Sequence, residues 1–255
     1  MPDATLIFLC IAAFAAGFID AVVGGGGLIQ IPAMMVLMPG VPVATAIGTT
    51  KLPSFCGTSF AAFQYSRKIE LNYKHVALMA CIACPSAFIG SKVLTVVSND
   101  FMKPLLLVVL VGVAMYTFFK KDFGIHSEKD HTEREHLIYI CLISLFLGFY
   151  DGFIGPGTGS FLILCFITLL GFNFLKASAT AKFVNLSTNI GSIILFASSG
   201  RIIWHIAIPM AACNAIGGYA GARLAILRGN AFIRVFFLCV VGVTILRFAW
   251  DVFSR

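Results

Sequence analysis

Long stretches without charge set the first limit on what this chain can fold into. Leu6 to Val23 is interrupted only by Asp20, and Pro104 to Phe119 and Leu137 to Tyr150 carry no charge at all. Phe232 to Trp250 holds only Arg234 and Arg247, each toward an end. Runs of roughly 20 apolar residues are the length of a membrane-crossing helix. Charged residues make up only 11% of the 255 residues, where a soluble domain has about 25%. Such a chain cannot cover a water-facing surface. The sequence predicts an all-α polytopic membrane protein with essentially no soluble domain, and the lipid bilayer is its first partner. The net charge of +7 does not point to nucleic acid. The basic residues cluster in short loops (Arg67, Lys68, Lys74, Lys120, Lys121), the pattern that orients a membrane protein with positive loops inside. The N-terminus lacks the basic start of a cleaved signal and is read as the first span.

The chain is also written twice. "GFIDAVVGGGG" at Gly17 matches "GFYDGFIGPGT" at Gly148, "GTTKL" matches "ATAKF", and "IGSKV" matches "AGARL". Asp20 and Asp151, Lys51 and Lys182, Gly90 and Gly221, and Lys92 and Arg223 are all 131 positions apart. One ungapped offset holding over some 70 residues keeps polar residues in register, which chance similarity between apolar stretches would not do. The reading is two tandem homologous halves, 1–120 and 137–255, joined by a polar linker loop at 121–136. His126, His131 and His136 in and near that linker lack tight ligand spacing and are read as solvated, with no metal expected. Cys81 and Cys84 form a C-x-x-C inside an apolar run and are read as small packing residues.

Each half is predicted to hold a first span (5–23; 137–154), a glycine break (24–27; 155–159) and a short apolar helix (28–38; 160–170). A long helix with polar residues follows (43–66; 174–198), then two further spans (75–97 and 102–119; 203–226 and 231–250). Eleven residues of helix reach only about 16 Å, half of a bilayer core. The short piece is therefore either a re-entrant arm, giving four spans per half and parallel repeats, or a fifth span, giving inverted repeats. Loop charge does not separate these, because Arg67, Lys68, Lys74, Lys120, Lys121, Lys129 and Arg134 fall on one side either way.

Lys51 and Lys182 sit mid-helix, where a lysine costs about 2.5–3.5 kcal/mol on insertion scales. The cost recurs at equivalent positions, so both are predicted to be functional. The bland alternative is that each simply pairs with Asp20 or Asp151 to hold the bundle together. Gly48, Ser54, Phe55 and Thr58 share a face with Lys51; Ser178, Asn185 and Asn189 share one with Lys182. Thr49, Thr50 and Thr180 stand alongside. These donors suit an oxyanion. The breaks, Gly24, Gly25, Gly26 and Gly27 in one half and Gly155, Pro156, Gly157, Thr158 and Gly159 in the other, free backbone N–H groups at the start of a short helix. Such ends attract anions, and transporters use broken helices of this kind near the midplane. Asp20 and Asp151 are read as proton carriers or as charge balance for the lysines. No P-loop ending or preceding strand accompanies the glycines, so no nucleotide or other cofactor is expected.

The paired "GFIDAVVGGGGLIQIP" and "GFYDGFIGPGTGSFL", each followed by a Thr–x–Lys stretch, resemble the sulfite exporter TauE/SafE family of membrane permeases over nearly the whole chain. The resemblance implies a bacterial inner-membrane protein that moves a small sulfur-containing anion such as sulfite or an organosulfonate. The second half departs from the glycine run at Pro156 and Thr158. An intramembrane enzyme would need a nucleophile with a base or a metal set; His75 and His205 are not duplicated in register. A non-transporting sensor would not need duplicated lysines and breaks. Oligomeric state, a homodimer included, is left open.

Overall fold

The structure, a computed structural model, describes residues 3–102, 104–106, 108, 109, 112 and 132–253. Among these the regular structure is entirely helical. The helices are α1 (Asp3–Val23), α2 (Gly27–Leu37), α3 (Val43–Ser66), α4 (Tyr73–Val96), α5 (Glu133–Phe153), α6 (Thr158–Leu170), α7 (Phe174–Ser198) and α8 (Trp204–Phe253). Described positions between 99 and 112 are also helical. Three helices, Ala4–Val23, Tyr73–Val96 and Glu133–Phe153, are long and apolar enough to cross a membrane. With 24 and 25 residues, α3 and α7 match them in length, but each carries a series of Thr, Ser and Lys side chains.

The boundaries have local causes. Asn72 caps α4 by accepting from the Lys74 and His75 amides, and Asn173 caps α7 by accepting from Lys176 at 2.9 Å. Thr132 and Glu135 form a reciprocal capping box at the start of α5, which satisfies two otherwise orphaned donors. The start of α3 is capped from a distance, its Val43 amide donating to Asn99 Oδ1 at 2.9 Å. The long polar helices lie at 43–66 and 174–198 as expected.

Two expectations are revised. The linker was bounded at 121–136, yet α5 begins at Glu133 because of its capping box; residues 121–131 lie outside the described ones. The last two spans, expected at 203–226 and 231–250, form one 50-residue helix. The sequence between them, Arg228-Gly229-Asn230-Ala231, has no proline, and a single glycine costs a helix only about 1 kcal/mol. The matching point in the first half, Val97-Ser98, leaves the helix with Val97 extended.

Packing exchanges partners between the halves. Gly221 of α8 abuts the backbone of Phe18 in α1, and Gly90 of α4 abuts Phe149 in α5. Gly17 meets Asn214, and Gly148 meets Ala83. Each contact is the other displaced by 131 positions. Residues without bulk let the helices approach closely, the usual means of tight association where lipid supplies no hydrophobic drive. The helices α3 and α7 run antiparallel. Gly48, early in α3, lies against Phe196, late in α7, while Ala61 and Tyr65 share a core cluster with Ala177 and Ala179, early in α7. The short α2 folds back along α1: Leu37 and Met38 share a cluster with Leu6 and Cys10, near the start of α1.

Candidate functional site

The two breaks turn at equivalent positions and then differ, Gly157 being left-handed at φ +81° where its counterpart Gly26 is helical at φ −58°. Helix α1 ends at Val23 and Gly24 turns the chain at φ +79°; α5 ends at Phe153 and Gly155 turns it at φ +89°. These are equivalent positions, and only glycine adopts that conformation without strain. The Gly24 amide donates to the Asp20 carbonyl at 2.8 Å, and the Gly155 amide to Tyr150 at 3.1 Å. The breaks touch each other. The Ser160 amide donates to the Gly24 carbonyl at 3.0 Å, its hydroxyl donates to Val23 at 3.0 Å, and a Cβ on Gly24 would strike Gly159. Tyr150 braces the second break by donating to the Pro156 carbonyl at 2.6 Å.

Both mid-helix lysines reach across to the opposite half. Lys51 Nζ lies 2.9 Å from Asp151 Oδ2 and donates to the Asp151 carbonyl at 2.7 Å. Lys182 Nζ lies 2.8 Å from Asp20 Oδ2 and also donates to the Asp20 carbonyl. The lysines are 5% and 0% exposed. An unpaired ammonium at that depth would be prohibitive, and pairing with a carboxylate plus a carbonyl satisfies most of its donors. Two lysines and two aspartates make the cluster neutral overall when all four are charged.

Beside the pairs lies a cavity of about 30 Å³, room for about two water molecules. Asp20, Lys51 and Asp151 line it, together with Gly24 and Gly27 from the first break and Gly155, Gly157, Thr158 and Gly159 from the second. Thr50, Asn185 and Asn189 complete the anticipated set on its wall. Lys182 reaches the site through Asp20 rather than by lining the cavity. Gly25 and Gly26 stand behind the wall, and the Gly26 amide already donates to Asp20 Oδ1 at 3.3 Å. The first break thus holds a carboxylate of its own at the start of α2. Thr49 and Thr180 are set apart: their hydroxyls donate to the Thr45 and Lys176 carbonyls, and Thr49 Oγ1 accepts from the Ile203 amide at 3.1 Å.

Two further polar residues line the cavity. Ser54, three positions after Lys51, matches Asn185 in the other half. Gln30, 1% exposed, is the one amide in the apolar helix GLIQIPAMMVL; a lone amide there was the available signal. Its Oε1 accepts from Asn214 Nδ2 at 3.1 Å. Among the described residues there is no group of three or more His, Cys, Asp or Glu that could hold an ion. His136 lies beside His75, ring centroids 5.1 Å apart; His126 and His131 lie outside the described residues. The described cysteines, Cys81 and Cys84 included, are free thiols. Lys92 and Arg223 are exposed, Lys92 near the end of α4 and Arg223 within the long α8 rather than at the helix end expected for it.

The family profile described as "Sulfite exporter TauE/SafE" matches residues 9–248. The chain belongs to the sulfite exporter TauE/SafE family. It is 37% identical over 229 residues to a probable membrane transporter protein, ORF9, of Sinorhizobium, covering 90% of this chain and 86% of that one. It is 37% identical to a probable membrane transporter protein of Haemophilus influenzae, covering 91% and 89%. It is 33% identical to the probable membrane transporter protein YfcA of Escherichia coli, covering 95% and 89%. No solved structure gave a significant match. Membership of the TauE/SafE family makes this a multi-pass membrane transporter rather than an enzyme.

Proposed function

We propose that this TauE/SafE protein is a secondary transporter that exports a small sulfur-containing anion, such as sulfite or an organosulfonate, across a bacterial inner membrane. The anion binds between two inverted homologous halves, where Lys51 and Lys182 supply the countercharge and the two glycine breaks let it approach backbone donors. The antiparallel course of α3 and α7 and the exchanged contacts at an offset of 131 support inversion. Export and the sulfur anion come from the family's description and stand as part of the proposal.

The single observation that carries the reading is the crossing of the ion pairs, each lysine closed on the aspartate of the other half. Each carboxylate occupies the place an oxyanion would take: against a lysine, and in the case of Asp20 also against the Gly26 amide at a helix start. The substrate displaces a carboxylate rather than filling a ready-made hole. Charge balance then sets the coupling. An anion added to a neutral buried cluster is costly at low dielectric; one proton on the displaced aspartate restores neutrality for a singly charged anion such as a sulfonate, and a proton on each aspartate does so for doubly charged sulfite. The chain carries no nucleotide motif, so ion and substrate gradients drive the movement.

The test is sulfite flux in proteoliposomes with and without a pH gradient, comparing the wild type with K51A/D151A and D20A/K182A. Loss of flux in folded double variants is expected. Normal flux in both would reduce the pairs to scaffolding.

A further inference from the structure

We infer that Gln30 is a substrate-contacting residue of this site, donating to the anion through Nε2, and that Asn214 is the positioning residue that aims it. The inference rests on the anion-site reading above and adds a neutral donor that neither the lysines nor the breaks provide.

Gln30 lies in the first turns of α2 at 1% exposure, between Ile29 and Ile31. A buried amide is expected to have both ends hydrogen-bonded. Here one end is bonded: Oε1 accepts from Asn214 Nδ2. The other end, Nε2, has no partner, yet Gln30 is part of the cavity wall with Asp20, Lys51 and Gly24. Neither Asp20 nor Asp151 accepts from it: the donors to Asp20 are Lys182 and Gly26, and the donor to Asp151 is Lys51. An acceptor atom placed in the cavity would satisfy the Nε2 hydrogens.

Asn214 has no room to turn. It is 3% exposed and wedged where Gly17 of α1 and Gly57 of α3 leave space; a Cβ on Gly17 would stand 2.7 Å from its Oδ1. Held there, it presents a donor to Gln30 Oε1 and so directs the NH₂ group the other way. The device is one-sided. Positions 131 residues from Gln30 and Asn214 hold Phe161 and Ala83, so the second half has no matching amide. The anion therefore sits off the pseudo-twofold axis, toward α2.

This asymmetry carries a specificity. Lys51, on the cavity wall, engages one oxygen, the backbone donors of the glycine breaks a second, and Gln30 reaches a third. The site is matched to a head group with three acceptor oxygens, as in sulfite or a sulfonate, over a two-oxygen carboxylate or a halide.

The full-length protein in detergent would be titrated calorimetrically with sodium sulfite, sodium acetate and sodium chloride. Gln30→Leu removes the donor; Gln30→Met removes it while keeping the side chain's length, and serves if the leucine variant is not monodisperse. The expected result is sulfite binding weaker by about tenfold or more, the loss typical of a hydrogen bond to a charged group, with acetate binding nearly unchanged and the preference for sulfite correspondingly reduced. Asn214→Leu should reproduce that loss, and Gln30→Leu/Asn214→Leu should be no weaker than Gln30→Leu alone, because both act through one amide. Wild-type sulfite affinity in both Gln30 variants, with binding abolished in K51A/D151A, would overturn the role of Gln30 and leave the lysine site standing. Absence of sulfite binding by the wild type would remove the site reading and this inference together.

Discussion

The Lys182 ammonium lies 2.8 Å from the Asp20 carboxylate, although 162 positions separate them in the chain. Lys51 makes the equivalent reach to Asp151. Each half therefore supplies the anionic partner of the other's cation.

Removing one member of such a pair leaves a buried charge alone. K182A and D151N are each expected to cost about 3–5 kcal/mol of stability, while K182A/D20A and K51A/D151A should cost markedly less. Thermal unfolding followed by size-exclusion chromatography in detergent, arranged as two double-mutant cycles, measures the difference. Equal losses in single and double variants would contradict the pairing.

The glycines in the first break are not interchangeable. G24A meets both a φ of +79° and the backbone of Gly159, and should abolish accumulation of folded protein or lower its Tm steeply. G25A places its Cβ at 3.6 Å from Leu28 and 3.7 Å from Ile19, ordinary contact distances, and should be nearly silent. Expression level and Tm of the two variants decide this.

The proposed charge balance assigns the coupling role to the aspartates. D20N and D151N hold one carboxyl permanently neutral, so anion movement in those variants should lose its response to an imposed pH gradient. The check is sulfite flux with a pH-sensitive dye in the same proteoliposomes. Proton movement that still tracks sulfite in both variants would rule the aspartates out as carriers.

Thr49 is placed as an anchor. Its hydroxyl receives the Ile203 amide just before α8, so T49V should cost about 1–3 kcal/mol by leaving that donor unmatched, with sulfite affinity unchanged. T50V, on the cavity wall, is the contrasting variant and should weaken binding with a smaller effect on Tm. Calorimetry and unfolding on the two proteins separate the roles.

Much of this arrangement was legible because polar residues stand out in apolar sequence. Helical spacing alone put Asn185 and Asn189 on the face of Lys182 and Ser54 on that of Lys51, and these line the cavity with Lys51, whereas Gly48, Phe55, Thr58 and Ser178, placed on the same faces, do not. The same periodicity explains what proximity in sequence misjudged. Thr49 and Thr180 stand two positions before a lysine, about 200° around the helix, and so face away. The crossing of the pairs was not readable, since Lys51 could as well have met Asp20 of its own half; that choice is made by how α5 packs on α4. Gln30 was passed over because its partner, Asn214, lies 184 residues away, and one amide without a visible counterpart gives no pattern. The length of α8 was missed because its continuation past Gly229 depends on the lack of a stop signal.

The hydrogen bond from Ser160 to Gly24 ties the two glycine breaks directly to each other. If one half rocks against the other in the proposed transport cycle, this contact lies near the turning point and the far ends of the long helices move most. A tether engineered across the joint would be tolerated during turnover, whereas one fastened at the rim would lock the protein open to a single side.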